Sequence, residues 1–408
     1  MSRRNVDFFC AVVIVGLLAG VAGLSTTLLL RFLEHLTYHY TFGSLLQGVT
    51  GSSPVRRALG PMVGGALAGL GWWILRSRVD VPPLSTALAN RERIRLLPFA
   101  VDAALQVLVV GSGASLGREV APRQFAVALG NFATGWLKRL SPRDREILLA
   151  CAAGAGLGAV YAVPLGGALF TLRIMLKTWH PRAQGAALIT SSMAVSVASL
   201  ATHNQTNLHW PDPHLSYLLI AYALLLAPLT FVVGLAFDRV MAAAHQAALK
   251  RSWLLIPAIA GAGLLIGVCS HWWPELPGNG KSILTATLAG GMTLTTAAAV
   301  LVLKPLLTAG FLRAGATGGL LTPALATGAA AGTLFVLTIN AAAGTHFHVQ
   351  AVSLAGAAGV LAVTQRTPFW AAIFVWELAR PPIWLLLVFL TAALGSYGIG
   401  SLVERRSG

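Results

Sequence analysis

Gly111-Ser112-Gly113-Ala114-Ser115-Leu116-Gly117-Arg118-Glu119-Val120-Ala121-Pro122-Arg123-Gln124 places a glycine-rich turn, an adjacent Arg-Glu pair and a proline inside a region otherwise apolar enough for a bilayer. An ionisable group at that depth is costly unless it faces protein or water, so the combination needs a functional reason. Glycines followed by a helical run predict a helix starting at about Arg118. The first N–H groups of such a helix have no carbonyl partners within it, and they make a site for an anion. Glu119 is then a tethered anion at the mouth of that site.

The rest of the chain agrees with a bilayer setting. Of 408 residues 56% are hydrophobic and 10% charged, whereas soluble domains carry about 25% charge. Several apolar runs are continuous and longer than about 18 residues, which excludes the short alternating segments of a β-barrel. Forty-three glycines and tracts such as Ala326 to Gly332 fit helices that approach closely through small residues. The net charge of +16 is scattered over loops and ends (Arg3, Arg4, Arg56, Arg57, Arg251, Arg405, Arg406) without a compact basic domain, so nucleic acid is not an expected partner. Positive loops on the cytoplasmic side account for it, with both termini in the cytoplasm and an even number of crossings. Cys10, Cys151 and Cys269 are far apart, which favours burial over metal binding.

Fifteen apolar segments can be placed, at about 8–37, 57–76, 97–112, 119–136, 146–159, 164–178, 184–201, 214–247, 252–270, 280–290, 293–309, 321–338, 350–364, 368–379 and 382–402. Some are too short for the roughly 20 residues a crossing needs, and others are long enough to tilt. Short glycine-interrupted segments among long ones predict helices that break at mid-membrane and build a binding site there. An internal repeat supports this: Gly113 to Gly117 reads against Gly315 to Gly319 at a separation of 202, and Pro164 to Phe170 against Pro368 to Phe374 at 204. The expected fold is all-α: one polytopic membrane domain over 1–408, with repeat one at about 1–202, a linker at about 203–213 and repeat two at about 214–408. Inverted halves are the common arrangement when the site lies at the midplane.

These residues resemble the CLC family of chloride channels and proton/chloride exchangers. Gly117-Arg118-Glu119 with Gln124 is similar to the family's GREGPxxQ, and Gly318-Gly319-Leu320-Leu321-Thr322-Pro323 to its GGxFxP. Ala162-Val163-Pro164-Leu165-Gly166-Gly167 resembles the proline-led helix start of the first half, and Thr367-Pro368 with Glu377 its counterpart. The resemblance covers almost the whole chain, without the family's cytoplasmic regulatory domains. It implies a homodimer whose subunits each carry an anion path, and it makes Glu119 the gate that competes with the anion for the same N–H groups. A salt bridge from Glu119 to a nearby arginine is the structural alternative. The anion-binding positions it implies are Gly117, Arg118, Val120, Leu320, Leu321 and Thr322, with Val79 and Tyr397 as further positions.

The chain also departs from the family pattern. Val120 and Ala121 follow the glutamate, the proline moves to Pro122, and Arg123 adds a charge that is either a second anion attractor or a solvated one. Where the family carries GSGIP, this chain has Arg78-Val79-Asp80-Val81-Pro82, and a valine cannot donate a side-chain hydrogen bond. Arg173 and Ile174 stand where exchangers often carry an inner glutamate; Asp102 is the alternative acid, or a structural partner for an arginine. Tyr397 is either the family's anion-coordinating tyrosine or an interfacial aromatic. Lys304, Arg313 and Arg366 read as snorkelling or paired cations, with an anion vestibule as the alternative.

The sequence therefore predicts a multi-pass inner-membrane protein that passes a small inorganic anion, chloride first, through a glutamate-gated path. Proton-coupled exchange, a fluoride path and a non-conducting scaffold are the alternatives. No paired carboxylates, Ser/His arrangement or metal motif points to an enzyme, and no cofactor or metal is expected.

Overall fold

The computed structural model describes residues 3–89, 94–137, 139–202 and 217–407. In chain order the helices are α1 (Arg3–Tyr38), α2 (Leu45–Gly51), α3 (Pro54–Arg78), α4 (Leu84–Ala89), α5 (Leu96–Gly111), α6 (Val120–Thr134), α7 (Pro142–Tyr161), α8 (Pro164–Phe170), α9 (Pro181–Thr202), α10 (Leu218–Gln246), α11 (Leu255–Cys269), α12 (Lys281–Leu288), α13 (Leu294–Arg313), α14 (Leu321–Ala343), α15 (Val349–Gln365), α16 (Pro368–Ala379) and α17 (Leu385–Ser407). Every apolar segment read from the sequence is helical, with ends moved by a few residues. The segment expected at 164–178 divides into α8 and a π-helical turn, Thr171–Met175. The linker expected at 203–213 lies outside the described residues.

Two helices were not expected, α2 and α4, of 7 and 6 residues, too short to show a period. A reciprocal cap holds α2: the Gln47 N–H donates to Ser44 Oγ and the Ser44 N–H to Gln47 Oε1. Among the described residues seven helices are long and apolar enough to cross a membrane: α1, α3, most of α9, α10, α13, α14 and most of α17. At 29 residues α10 is about 43 Å long, enough to cross a core of about 30 Å at a steep tilt. Cys10 corrects one expectation: it is exposed on α1, while Cys151 is buried.

The chain divides into two compact units. The first comprises Met1–Arg31, Gly71–Leu108 and Arg118–Gln205. Its core uses small side chains, among them Ala11, Ala19, Ala126, Ala152, Ala155 and Ala187. A Cβ on Gly156 of α7 would lie 2.7 Å from the Pro122 carbonyl of α6, so only glycine permits that crossing. Asp144, in the first turn of α7, accepts from Arg4 at 3.1 Å and Arg182 at 2.9 Å. That carboxylate gathers the starts of α1, α7 and α9 at one end of the unit.

The second unit comprises Phe32–Leu70, Val109–Gly117 and Thr206–Gly408. In it α14 and α15 pack glycine to glycine: a Cβ on Gly356 would lie 2.4 Å from the Gly328 carbonyl, and one on Gly328 would lie 2.6 Å from the Gly356 carbonyl. Buried hydroxyl pairs join further turns, Thr333 to Ser353 at 2.8 Å and Thr230 to Ser396 at 2.7 Å. These contacts replace the hydrophobic drive that lipid cannot supply.

The repeat read from the sequence recurs in the backbone. α7 ends on Ala162 at φ 55 and α15 on Arg366 at φ 53. Val163 and Thr367 then cap α8 and α16 with the same ψ of 78, and a proline opens each helix. Replacing Gly356 by valine is expected to destabilise the fold by about 1–3 kcal/mol through overpacking. Gly261→Ala meets nothing within 4 Å and serves as the control; thermal unfolding in detergent should fall by several degrees for the first variant alone.

Candidate anion site

Backbone bonds fix the turn after α5. The Gly113 N–H donates to the Val110 carbonyl at 2.9 Å and the Ala114 N–H to that of Val109 at 3.0 Å. Gly113 has φ +114, and a Cβ there would approach the Tyr38 hydroxyl to 2.2 Å, so a side chain is barred by both conformation and space. Four residues on, Gly117 and Gly319 form an antiparallel bridge in which each N–H donates to the other's carbonyl, at 2.7 and 2.8 Å. The two glycines are 202 positions apart, the repeat separation. An antiparallel pair between equivalent residues means that the chain runs through them in opposite directions, as inverted repeats require.

Each strand then enters a helix. Leu320 caps α14, which starts at Leu321, and Glu119 caps α6, which starts at Val120 rather than at about Arg118. The first repeat has one residue more between the bridging glycine and the helix, and Arg118 and Glu119 complete that longer turn. The displaced Pro122 thereby comes into register with Pro323, each being the third residue of its helix. Proline lacks an N–H, so it is tolerated in the first turn and removes one helix-end donor. The residues ahead of the proline in each first turn are Val120 and Ala121 in α6, and Leu321 and Thr322 in α14. Leu321 and Thr322 are buried.

Within the first unit Glu119 is 1% exposed, and its Oε2 accepts from the Tyr161 hydroxyl at 3.2 Å. Arg118 donates from Nη2 to the Val160 carbonyl at 3.1 Å and stacks over the Tyr161 ring at 5.2 Å. Arg123 is not a solvated charge: its guanidinium lies 4.4 Å from the Phe170 ring centroid. Tyr161 was missed in the sequence, although it stands directly before Ala162-Val163-Pro164. Gln124, the last residue of the motif, serves Asp102. That carboxylate accepts from Trp72 Nε1 at 2.8 Å, Gln106 Nε2 at 2.8 Å and Gln124 Nε2 at 2.9 Å, which makes it a structural hub with an indole and two amides as partners.

The other expected positions fall as follows. Val79 lies just past α3, and its N–H donates to the Leu75 carbonyl at 2.9 Å. Its side chain is apolar and that N–H is committed to the helix. Tyr397 is 38% exposed on α17, a position that fits an interfacial aromatic. Arg173 is exposed in the π-helical turn, 5.5 Å from the Trp179 ring. Lys304 is 0% exposed in the middle of α13 and does not snorkel.

The family model described as voltage-gated chloride channel matches residues 64–401. The chain belongs to the CLC family. It is 29% identical over 376 residues to the voltage-gated ClC-type chloride channel ClcB of Escherichia coli (strain SMS-3-5 / SECEC), covering 90% of this chain and 89% of that one. Among solved structures it resembles a slow cyanobacterial Cl−/H+ antiporter, with TM-score 0.78, 20% identity and 98% of both chains covered. A CLC-type fluoride/proton antiporter gives TM-score 0.76 at 17% identity, covering 98% of this chain and 96% of that one. At these identities the likeness to solved structures is one of fold.

Gly113→Ala tests the turn. A side chain at that φ is expected to cost about 1–3 kcal/mol, read as a lower melting temperature in detergent with helical content retained.

Proposed function

We propose that the protein conducts chloride passively across the inner membrane, through a CLC-type path gated by Glu119. The observation that carries this reading is a carboxylate 1% exposed at the start of α6, on the tethered side of helix-end donors, with a tyrosine hydroxyl holding it. Helix N-termini replace part of the hydration shell of an anion while leaving it free to exit. The residues assigned to the path are Gly117, Arg118, Glu119 and Val120 in the first repeat and Leu320, Leu321 and Thr322 in the second. The family resemblance supports a homodimer with one path per subunit, and the scattered arginines support cytoplasmic termini.

Two observations bear on coupling. Arg173, exposed in the π-helical turn, stands where an exchanger often has its inner glutamate, which favours the passive reading. The retained Glu119 keeps proton-coupled exchange as the second reading. A chloride gradient imposed on liposomes separates them: the passive reading expects chloride flux without proton movement, and protons moving in fixed ratio to chloride would overturn it. Chloride efflux is expected to exceed fluoride efflux from the same liposomes; the reverse order would assign the path to fluoride.

The gate makes a further prediction. Glu119→Gln removes the competing charge and is expected to raise chloride efflux at neutral pH. Tyr161→Phe keeps the ring and removes only the hydroxyl bond, about 1.5 kcal/mol for a charged acceptor, so efflux should rise about tenfold. Efflux unchanged in both variants would leave Glu119 a structural residue.

A further inference from the structure

Lys304 stands in the middle of a 20-residue apolar helix, α13, with no exposure at all. Its ammonium donates to two backbone carbonyls, Leu276 at 2.9 Å and Gly278 at 2.6 Å. Among the described residues no carboxylate pairs with this lysine. Removing a lone ammonium from water costs several kcal/mol, and an uncharged donor would serve two carbonyls more cheaply. The charge itself therefore calls for an explanation.

Its surroundings supply one, all within the second unit. The carbonyls that hold the ammonium belong to the buried turn before α12, and the Gly278 N–H donates to the Gly113 carbonyl at 2.9 Å. The Lys304 carbonyl accepts from Thr308 Oγ1 at 2.8 Å, and Thr308 pairs with Ser115 Oγ at 2.9 Å. The lysine is thus linked at both ends, through Gly278 and through Thr308, to the glycine-rich stretch that leads to the Gly117–Gly319 bridge. A Cβ placed on Gly280 would lie 3.7 Å from Lys304 Cε and 3.3 Å from the Thr322 carbonyl, which puts those two atoms within about 7 Å of each other. The end of the lysine chain thus lies near the first turn of α14.

We propose that Lys304 is a fixed countercharge for the transported anion, setting how tightly the first turn of α14 holds it. The proposal rests on the assignment of Leu321 and Thr322 to the anion path. A charge at roughly 8 Å through an effective dielectric near 20 changes anion affinity by about tenfold or more. The effect acts alike on chloride, bromide and nitrate, because a Coulomb field depends on charge and not on anion size. A clamp on the 276–280 turn, the competing explanation, acts through geometry and alters the ranking of anions.

The test uses full-length protein in liposomes and reads the half-saturating concentration of chloride, bromide and nitrate efflux, with melting temperature in detergent alongside. Lys304→Gln keeps amide donors for the carbonyls, Lys304→Met keeps the length, and Lys304→Arg keeps the charge. In the glutamine and methionine variants half-saturation should rise about tenfold for all three anions with their order unchanged; in the arginine variant it should stay within about twofold of wild type. A folded Lys304→Gln with wild-type half-saturation overturns the proposal, as does a changed order of anions. Failure of both neutral variants to fold while Lys304→Arg folds and transports assigns the lysine to the clamp and also overturns it. If wild-type protein shows no saturable anion efflux, the anion-path assignment itself falls, a result distinct from any of these.

Discussion

Two hydrogen bonds, Gly117 to Gly319 and back again at 2.7 and 2.8 Å, hold the polypeptide where neither helix nor sheet could. Backbone that leaves a helix inside a bilayer must satisfy its own polar groups, and this reciprocal pair satisfies four of them with two residues. Because each glycine is the repeat equivalent of the other, one bridge serves both halves of the sequence. It also sets where α6 and α14 begin, and hence which N–H groups are helix-end donors. The prolines at Pro122 and Pro323 stop further backbone donors from accumulating at those ends.

Charge in the apolar interior is handled in three distinct ways. Asp144 is neutralised by Arg4 and Arg182 and fastens three helix starts. Asp102 is dispersed over Trp72, Gln106 and Gln124, which occupy its oxygens with neutral donors. Lys304 instead donates to two backbone carbonyls, those of Leu276 and Gly278. The first two arrangements close on themselves, and the third leaves a field for a mobile anion to complete. Arg118 and Arg123 belong to an intermediate case, with aromatic rings taking the faces of their guanidinium groups.

Much of this was legible in the sequence because it rests on local chemistry. Glycine at 113 and 117, proline at 164 and 368, and apolar runs of given length each dictate a backbone state, so the longer helices and the repeat could be read, while the short α2 and α4 could not. The start of α6 was misplaced by two residues because the one-residue difference between repeats shows only when Gly117 is seen facing Gly319. Partners distant in sequence stayed hidden: the carboxylate of Glu119 meets Tyr161, 42 positions away, and Asp102 meets an indole and two amides besides the charge of Arg76, the arginine partner that was one of its expected readings. Lys304 read as a snorkelling cation because a 20-residue apolar helix does not reveal which of its faces is buried. Val79 was placed by alignment to a motif, and its N–H closes the last turn of α3 on the Leu75 carbonyl four residues back.

The central claim is that an anion is held by helix-end N–H groups at the start of α14. Anomalous diffraction from crystals grown with bromide in place of chloride tests it most directly. The account predicts a bromide peak within hydrogen-bond distance of the Leu321 and Thr322 N–H groups. Bromide bound elsewhere in the protein, with none at those two groups, would contradict it.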